Sequence, residues 1–325
     1  MDLGRAVVLG CGAYLPDRVV PNREISDRVG RSEEWIVTRA GINQRQFAAD
    51  GELTSDMSTQ AALRALEAAE VDANDIDLIV LGTITPDHTF PATAAQVQAN
   101  IGNTRGAAFD VRAACAGFLY AVSTANNAIM LGQAETALVI GTERMSCLLD
   151  ESDPTTYAVF GDGAGAFVMK RGEGNHGGLD SRGVIYTDIR ADGHCLEMLW
   201  TDGGTKAGVI GKIIMRGRDV FRHAVMKMSE IAEETLEKHD LTIDDIDWVI
   251  PHQANRRIID GAAARLNLPE EKTIITVQDH ANTSSASVPL AIDVAVRDGR
   301  IKRGDLLLML SLGAGLNWAA ALVRW

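Results

Sequence analysis

Cysteine is scarce in this chain of 325 residues, and the four present, Cys11, Cys115, Cys147 and Cys195, stand far apart. No CxxC pair occurs, so neither a metal site nor a disulfide framework is expected, and any role for a cysteine is chemical rather than architectural. Basic residues are outnumbered, 31 Lys and Arg against 44 Asp and Glu, for a formal net charge of −13. That balance disfavours nucleic acid as a partner, and an acidic protein partner must meet a local basic patch. No apolar run reaches the ~20 residues that span a bilayer, and no basic-then-apolar leader opens the chain. The expectation is a cytoplasmic protein with no membrane association.

Hydrophobic residues make up 46% and charged residues 23%, which excludes a disordered chain and allows a substantial core. An internal repeat organises that core. "ALEAAEVDANDIDLIV" (Ala65 to Val80) aligns without a gap on "TLEKHDLTIDDIDWVI" (Thr235 to Ile250), and "TALVI" (Thr136 to Ile140) on "LLLML" (Leu306 to Leu310), both at an offset of 170 residues. Each unit reads as an amphipathic helix end, an acidic turn and a buried strand. Two duplicated α/β halves follow, residues 1–172 and 173–325, meeting near "KRGEGNHGG" (Lys170 to Gly178).

Within the first half, "AAFDV" (Ala107 to Val111) predicts a strand and "CAGFLYAVSTANNAIMLG" (Cys115 to Gly132) a helix. Cys115 then sits at a helix N-terminus, where free N–H groups and the macrodipole favour a thiolate. A small buried hydrophobe under a tight turn is the competing reading, and this segment alone slightly favours it. Two stretches add weight to chemistry. "DWVIPHQANRRIID" (Asp247 to Asp260) presents His252, Gln253 and Asn255 after a buried strand, and "QDHANTSSASVP" (Gln278 to Pro289) presents His280 and Asn282 at another. Ligands of α/β proteins bind at such strand ends. By the offset of 170, Ser285 occupies in the second half the place of Cys115 in the first.

These motifs, "AACAGFLYA", "PHQANRRI" and "HANTSSASVP", with "FGDGAGA" (Phe160 to Ala166), "SLGAGLNWAAALVRW" (Ser311 to Trp325) and "EEWIVTRAGI" (Glu33 to Ile42), resemble β-ketoacyl-acyl carrier protein synthase III nearly end to end. The resemblance implies a thiolase fold with an αβαβα core, normally as a homodimer. It implies an acyltransferase in which Cys115 takes an acyl group from acyl-CoA, with CoA as substrate and no cofactor. Malonyl-acyl carrier protein is then decarboxylated beside His252 and Asn282, and the oxyanion is held by the N–H groups of Cys115 and Ala314. Ala314 and Ala281 stand where the family has glycine. Trp35 and Arg39 match residues that stack on and bind CoA, but Pro154 stands where a second clamping arginine belongs. Phe90 matches the residue that closes the partner's acyl pocket, and Arg222 and Arg257 match carrier-protein docking positions. Arg256 and Arg265 extend that patch, with the basic stretch that carries Lys206, Lys212, Arg216, Arg218 and Lys227.

"SLGAGLNW" has no second cysteine of the kind thiolases use as base, and only one histidine matches where elongating synthases have two. An initiating enzyme is therefore expected. "GDGAGA" runs into the strand-like "FVMK" rather than a helix, so it is not a dinucleotide loop. Two other readings stay open: a relative that passes the acyl-Cys group to another nucleophile, such as a polyketide starter, and a non-catalytic CoA or acyl-carrier binding module.

Overall fold

A computed structural model describes residues 5–172, 178–204 and 207–325. The junction expected between the halves and Lys206 lie wholly or partly outside the described residues. A five-stranded sheet contains β1 (Ala6–Tyr14), β2 (Leu78–Gly82), β3 (Ala107–Val111), β4 (Thr136–Arg144) and β5 (Asp162–Arg171), in the order β1-β5-β4-β2-β3. A four-stranded sheet contains β6 (Gly183–Ala191), β7 (Trp248–Pro251), β8 (Leu306–Gly313) and β9 (Asn317–Arg324), in the order β6-β9-β8-β7. The second order repeats the first. Where β3 pairs with β2 in the first sheet, a single parallel bridge between Val249 and Thr273 extends the second.

Six helices matter to the site: α1 (Glu33–Ala40), α2 (Thr54–Ala69), α3 (Gly117–Met130), α4 (Gly217–Lys238), α5 (Arg256–Leu266) and α6 (Ser287–Arg297). Helix α2 covers the outer face of the first sheet, α4 and α5 that of the second, and α3 and α6 lie between the sheets. The inner strands β2 and β8 read as nearly unbroken apolar runs because both of their faces are covered. Leu78, Val80, Ala137 and Val139 face the central layer, while Ile79, Leu81, Leu138 and Ile140 face the outer one. Leu307 and Met309 alternate with Leu306, Leu308 and Leu310 in the same way, as a pleat of period two requires. Chains of this architecture have five layers, α-β-α-β-α.

The repeat extends to backbone detail. Short 3₁₀ turns at Ala73–Asp75 and Ala114–Ala116 recur at Ile243–Asp245 and Ser284–Ala286. Left-handed residues recur with them, Glu70 and Asp240 both at φ +54°, and Ala114 at +47° with Ser284 at +51°. Non-glycine residues seldom adopt such angles, so their recurrence at the same offset marks two copies of one design. One expectation shifts here. Helix α3 starts at Gly117, and Cys115 lies in the turn before it, because the left-handed Ala114 reverses the chain just ahead of the thiol.

Candidate active site

Cys115 is buried in that turn, between the carboxyl end of β3 and the start of α3. Its carbonyl accepts a hydrogen bond from Ser311 Oγ at 2.6 Å, which ties the turn to the last residues of β8. The β8 end is pressed against it. A Cβ built on Gly313 would come 2.5 Å from the Cys115 nitrogen, so only glycine lets the two backbones approach this closely.

His252 follows β7 and donates its own N–H to the Leu310 carbonyl at 2.7 Å. Its Nδ1 lies 2.6 Å from Ser287 Oγ at the head of α6, and that hydroxyl also accepts the Gln253 N–H at 3.3 Å. Nε2 is thus the ring nitrogen left for a ligand. Asn282 is held on both sides of its backbone, its N–H donating to the Val159 carbonyl and its own carbonyl accepting from Gly161 N–H. Its side-chain Oδ1 accepts the Ser284 N–H at 2.8 Å. The carboxamide can therefore present only its NH₂ end as a donor.

Burial governs the proton affinities. It pulls His252 down to about 3, so the imidazole is neutral. Burial pushes the Cys115 thiol up to about 12, with Glu143 adding to the rise while the Ser284 hydroxyl and the residue's own N–H oppose it. The thiolate favoured by the helix end is overruled, because desolvation outweighs a partial charge at the end of a helix. Thiol and imidazole both rest uncharged.

All three side chains line one cavity of ≈ 560 Å³, within the ordinary range for small-molecule sites. Phe160, Leu312, Gly313, Met228 and Ala224 form much of its apolar wall. Ala314 follows Gly313 half-buried and is not part of the cavity wall. Trp35 and Arg39 of α1, with Arg218, Phe221, Asn255 and Arg257, line the same cavity. The guanidinium groups of Arg31 and Arg39 stand 5.7 and 6.0 Å from the Trp35 ring centre. Pro154, at the missing arginine's position, opens a short helix capped by Asp153, so both arginines beside Trp35 come from its own segment.

Other expected residues are more scattered. Phe90 is 84% exposed in the single chain and lines no part of this cavity. Arg222 is exposed on α4, and Arg257 stacks over Phe221 at 5.5 Å. Arg256, expected in the docking patch, already has partners. It is ion-paired to Asp260 and Glu270 at 2.7 and 2.6 Å, so its charge is already answered within the chain. Arg216 and Lys227 are likewise paired, with Glu197 and Glu230. His280 is half-buried outside the cavity wall, its Nδ1 without a partner among the described residues, and "GDGAGA" after its first glycine forms the start of β5.

Family models described as 3-oxoacyl-[acyl-carrier-protein (ACP)] synthase III and as its C-terminal part match residues 109–193 and 236–325. The chain is 52% identical over 321 residues to the beta-ketoacyl-[acyl-carrier-protein] synthase III of Paramagnetospirillum magneticum, covering 98% of this chain and 99% of that one. It belongs to the β-ketoacyl-acyl carrier protein synthase III family. A 3-oxoacyl-[acyl-carrier-protein] synthase III structure from Aquifex aeolicus superposes with a TM-score of 0.93 at 42% identity, covering 98% of this chain and 100% of that chain. The priming β-ketosynthase of the R1128 polyketide pathway gives 0.91 at 38%, with coverages of 98% and 96%. These neighbours establish the thiolase fold of the synthase III family for this chain.

Three polar residues around the synthase III site escaped the sequence reading: Glu143, Ser284 and Ser287. Glu143 follows the apolar run Ala137–Ile140 near the end of β4 and is fully buried. An acidic residue near the end of a buried strand was the available signal. Ser284 and Ser287 had none, since nothing in "NTSSAS" ranks one serine above another.

Proposed function

We propose that this enzyme carries out the decarboxylative condensation of an acyl-CoA primer with malonyl-acyl carrier protein, releasing CoA and CO₂ and starting fatty acid synthesis. The observation that carries the reading is the meeting on one apolar cavity of Cys115 and His252, each following a strand, and Asn282, which follows the short helix Val277–His280 where a strand end was expected, in a chain half identical to named synthases over its whole length.

Cys115 attacks the primer thioester and keeps the acyl group, an exchange of one thioester for another that costs little. Malonyl thioester then loses CO₂, and charge gathers on its thioester oxygen. Neutral donors serve best there, since they stabilise a developing anion without an ion pair to break. His252, held uncharged by burial, donates from Nε2 when Nδ1 accepts from the Ser287 hydroxyl, and Asn282 donates from the NH₂ end that Ser284 leaves free. The resulting carbanion attacks the acyl-Cys carbonyl. Its oxyanion is held by the Cys115 N–H and a second from the turn at Ala314, which the close approach of Gly313 supports. No cofactor enters these steps.

Trp35, Arg39 and Arg257 at the cavity bind the nucleotide end of CoA, with Arg31 beside Trp35 doing the work of the arginine absent at Pro154. Arg222 and Arg257 dock the acidic carrier protein. The enzyme works as a homodimer in which Phe90 reaches the acyl pocket of the second copy, a role that its exposure in the single chain supports.

Intact-protein mass after mixing with a panel of acyl-CoAs, followed by a malonyl-acyl carrier protein chase, tests the reading. An adduct that is absent in Cys115→Ser and is discharged as β-ketoacyl product is expected, with Arg222→Glu raising the carrier concentration needed several-fold. Pro154 and the polyketide-priming neighbour favour a second reading, transfer of the acyl group into a polyketide. An adduct that survives the malonyl chase would decide for it.

A further inference from the structure

Arg45 is fully buried, on the short strand Gln44–Gln46 that pairs with Val19–Pro21. Its Nη1 donates to Asn22 Oδ1 at 2.8 Å and to the Val20 carbonyl at 3.3 Å, and its Nη2 donates to the Ala158 carbonyl at 2.8 Å. None of the oxygens it meets among the described residues belongs to a carboxylate. Burial lowers its proton affinity to about 10, which leaves the guanidinium charged at neutral pH. Burying a cation without an anion is costly, and an apolar side chain of similar volume would fill the space without that penalty. What the guanidinium alone supplies is its grip on three oxygens.

One of those oxygens leads to the site. Ala158, Val159 and Phe160 line the cavity. The Val159 carbonyl accepts the Asn282 N–H at 2.9 Å, the Gly161 N–H donates to the Asn282 carbonyl at 3.0 Å, and Phe160 pairs with Asn282 in a parallel bridge. Asn282 thus hangs by its backbone on the segment that Arg45 holds. Gly161 is wedged between the two: a Cβ built there would come 2.9 Å from the His280 carbonyl oxygen and 3.2 Å from Arg45 Cβ. The chain beside Arg45 reaches the same turn, since the Asn43 N–H donates to the Gln278 carbonyl at 2.8 Å. No hydrogen bond of Arg45 goes to the Cys115 turn or to the loop that carries His252.

Resting on the assignment of Asn282 as a donor to the malonyl thioester, we infer that Arg45 is a positioning residue for decarboxylation, fixing the place of Asn282 through residues 158–161. The Asn282 NH₂ group must meet an oxygen on which charge gathers only as CO₂ leaves, so its contribution depends on where it stands at that moment. A displacement of about 1 Å in a positioned group lowers a rate by about 100-fold. A carbonyl held by a charged donor is held more firmly than one held by a neutral donor. The planar fork of arginine also reaches Asn22 and Ala158 at once, which the single ammonium of a lysine does less well.

The test is rapid-quench mass spectrometry of two steps, acylation of Cys115 by a short acyl-CoA and discharge of that acyl group by malonyl-acyl carrier protein. It compares wild type, Arg45→Met, Arg45→Lys, Asn282→Ala and the double variant Arg45→Met with Asn282→Ala. Arg45→Met is expected to acylate within about threefold of the wild-type rate and to discharge about 100-fold more slowly, with Arg45→Lys recovering part of the discharge. The double variant is expected to discharge no more slowly than Asn282→Ala, because both substitutions remove the same interaction. Discharge at the wild-type rate in Arg45→Met, equal slowing of both steps, or a full second loss in the double variant would overturn the inference and leave Arg45 as a structural residue. Should Arg45→Met not fold, Arg45→Lys carries the same comparison, with a smaller loss confined to discharge expected. Wild-type discharge in Asn282→Ala would instead overturn the assignment of Asn282, and a wild type that takes no acyl group would overturn that of Cys115.

Discussion

His252 and Glu143 are both enclosed, and burial moves their proton affinities in opposite directions because it penalises whichever form is charged. For His252 the affinity falls from 6.5 to about 3. Between those values the unfolded chain binds a proton that the folded one refuses, so this residue's contribution is present above about pH 6.5 and is lost as pH falls. For Glu143, raised from 4.5 to about 7, the sign reverses, and its contribution is lost as pH rises through about 7. The two partly cancel in wild type, so a difference is needed to isolate one. Going from pH 7 to pH 5, wild type is expected to lose about 2 kcal/mol more stability than His252→Gln, as measured by denaturant titration at each pH. Equal losses would mean that His252 takes up a proton as readily in the folded chain as in the unfolded one, and the argument that burial keeps the donor neutral would fail.

At the level of elements, the turn that delivers Asn282 carries a residue that does not suit it. Ala281 sits at φ +57° and ψ −160°, a region where a Cβ is strained and glycine is nearly the sole occupant. It is fully buried beside Ile42 and Ile259, and that packing holds the strained turn in place. Ala281→Gly is expected to raise stability by roughly 1 kcal/mol, the relieved strain exceeding the extra chain entropy of glycine. A denaturation midpoint below that of wild type would show that the alanine methyl contributes more through packing than it costs in strain.

For the whole molecule, the unpaired edge of the first sheet is informative. Among the described residues, strand β3 has no neighbour on its outer side, and Phe109 upon it is 38% exposed, with Phe90 more exposed still. Open edges with apolar side chains invite pairing with a second chain. Light scattering is expected to return twice the 34.9 kDa chain mass, and Phe109→Glu to shift the mass toward one chain. In the same preparation, Phe90→Ala should lengthen the longest acyl-CoA accepted. A single-chain mass with an unaltered length profile would remove Phe90 from the pocket.

The sequence by itself determined the two halves, the alternation of strands and helices, and the strand ends that carry Cys115 and His252, because these follow from local apolar periodicity and an ungapped repeat; the strand end expected before Asn282 is a short helix, Val277–His280, in the structure. It also carried the family motifs by which Trp35 and Arg39 were placed at the cavity. Only the tertiary structure decided the charge states, since desolvation depends on what packs around a group and not on its neighbours in the chain. For the same reason Glu143 and Ser284 stayed hidden, being 141 residues apart and joined only when the halves close. Of the ion-pair partners of Arg256, Asp260 stands four residues on in the same helix, whereas Glu270 was brought to it by the fold.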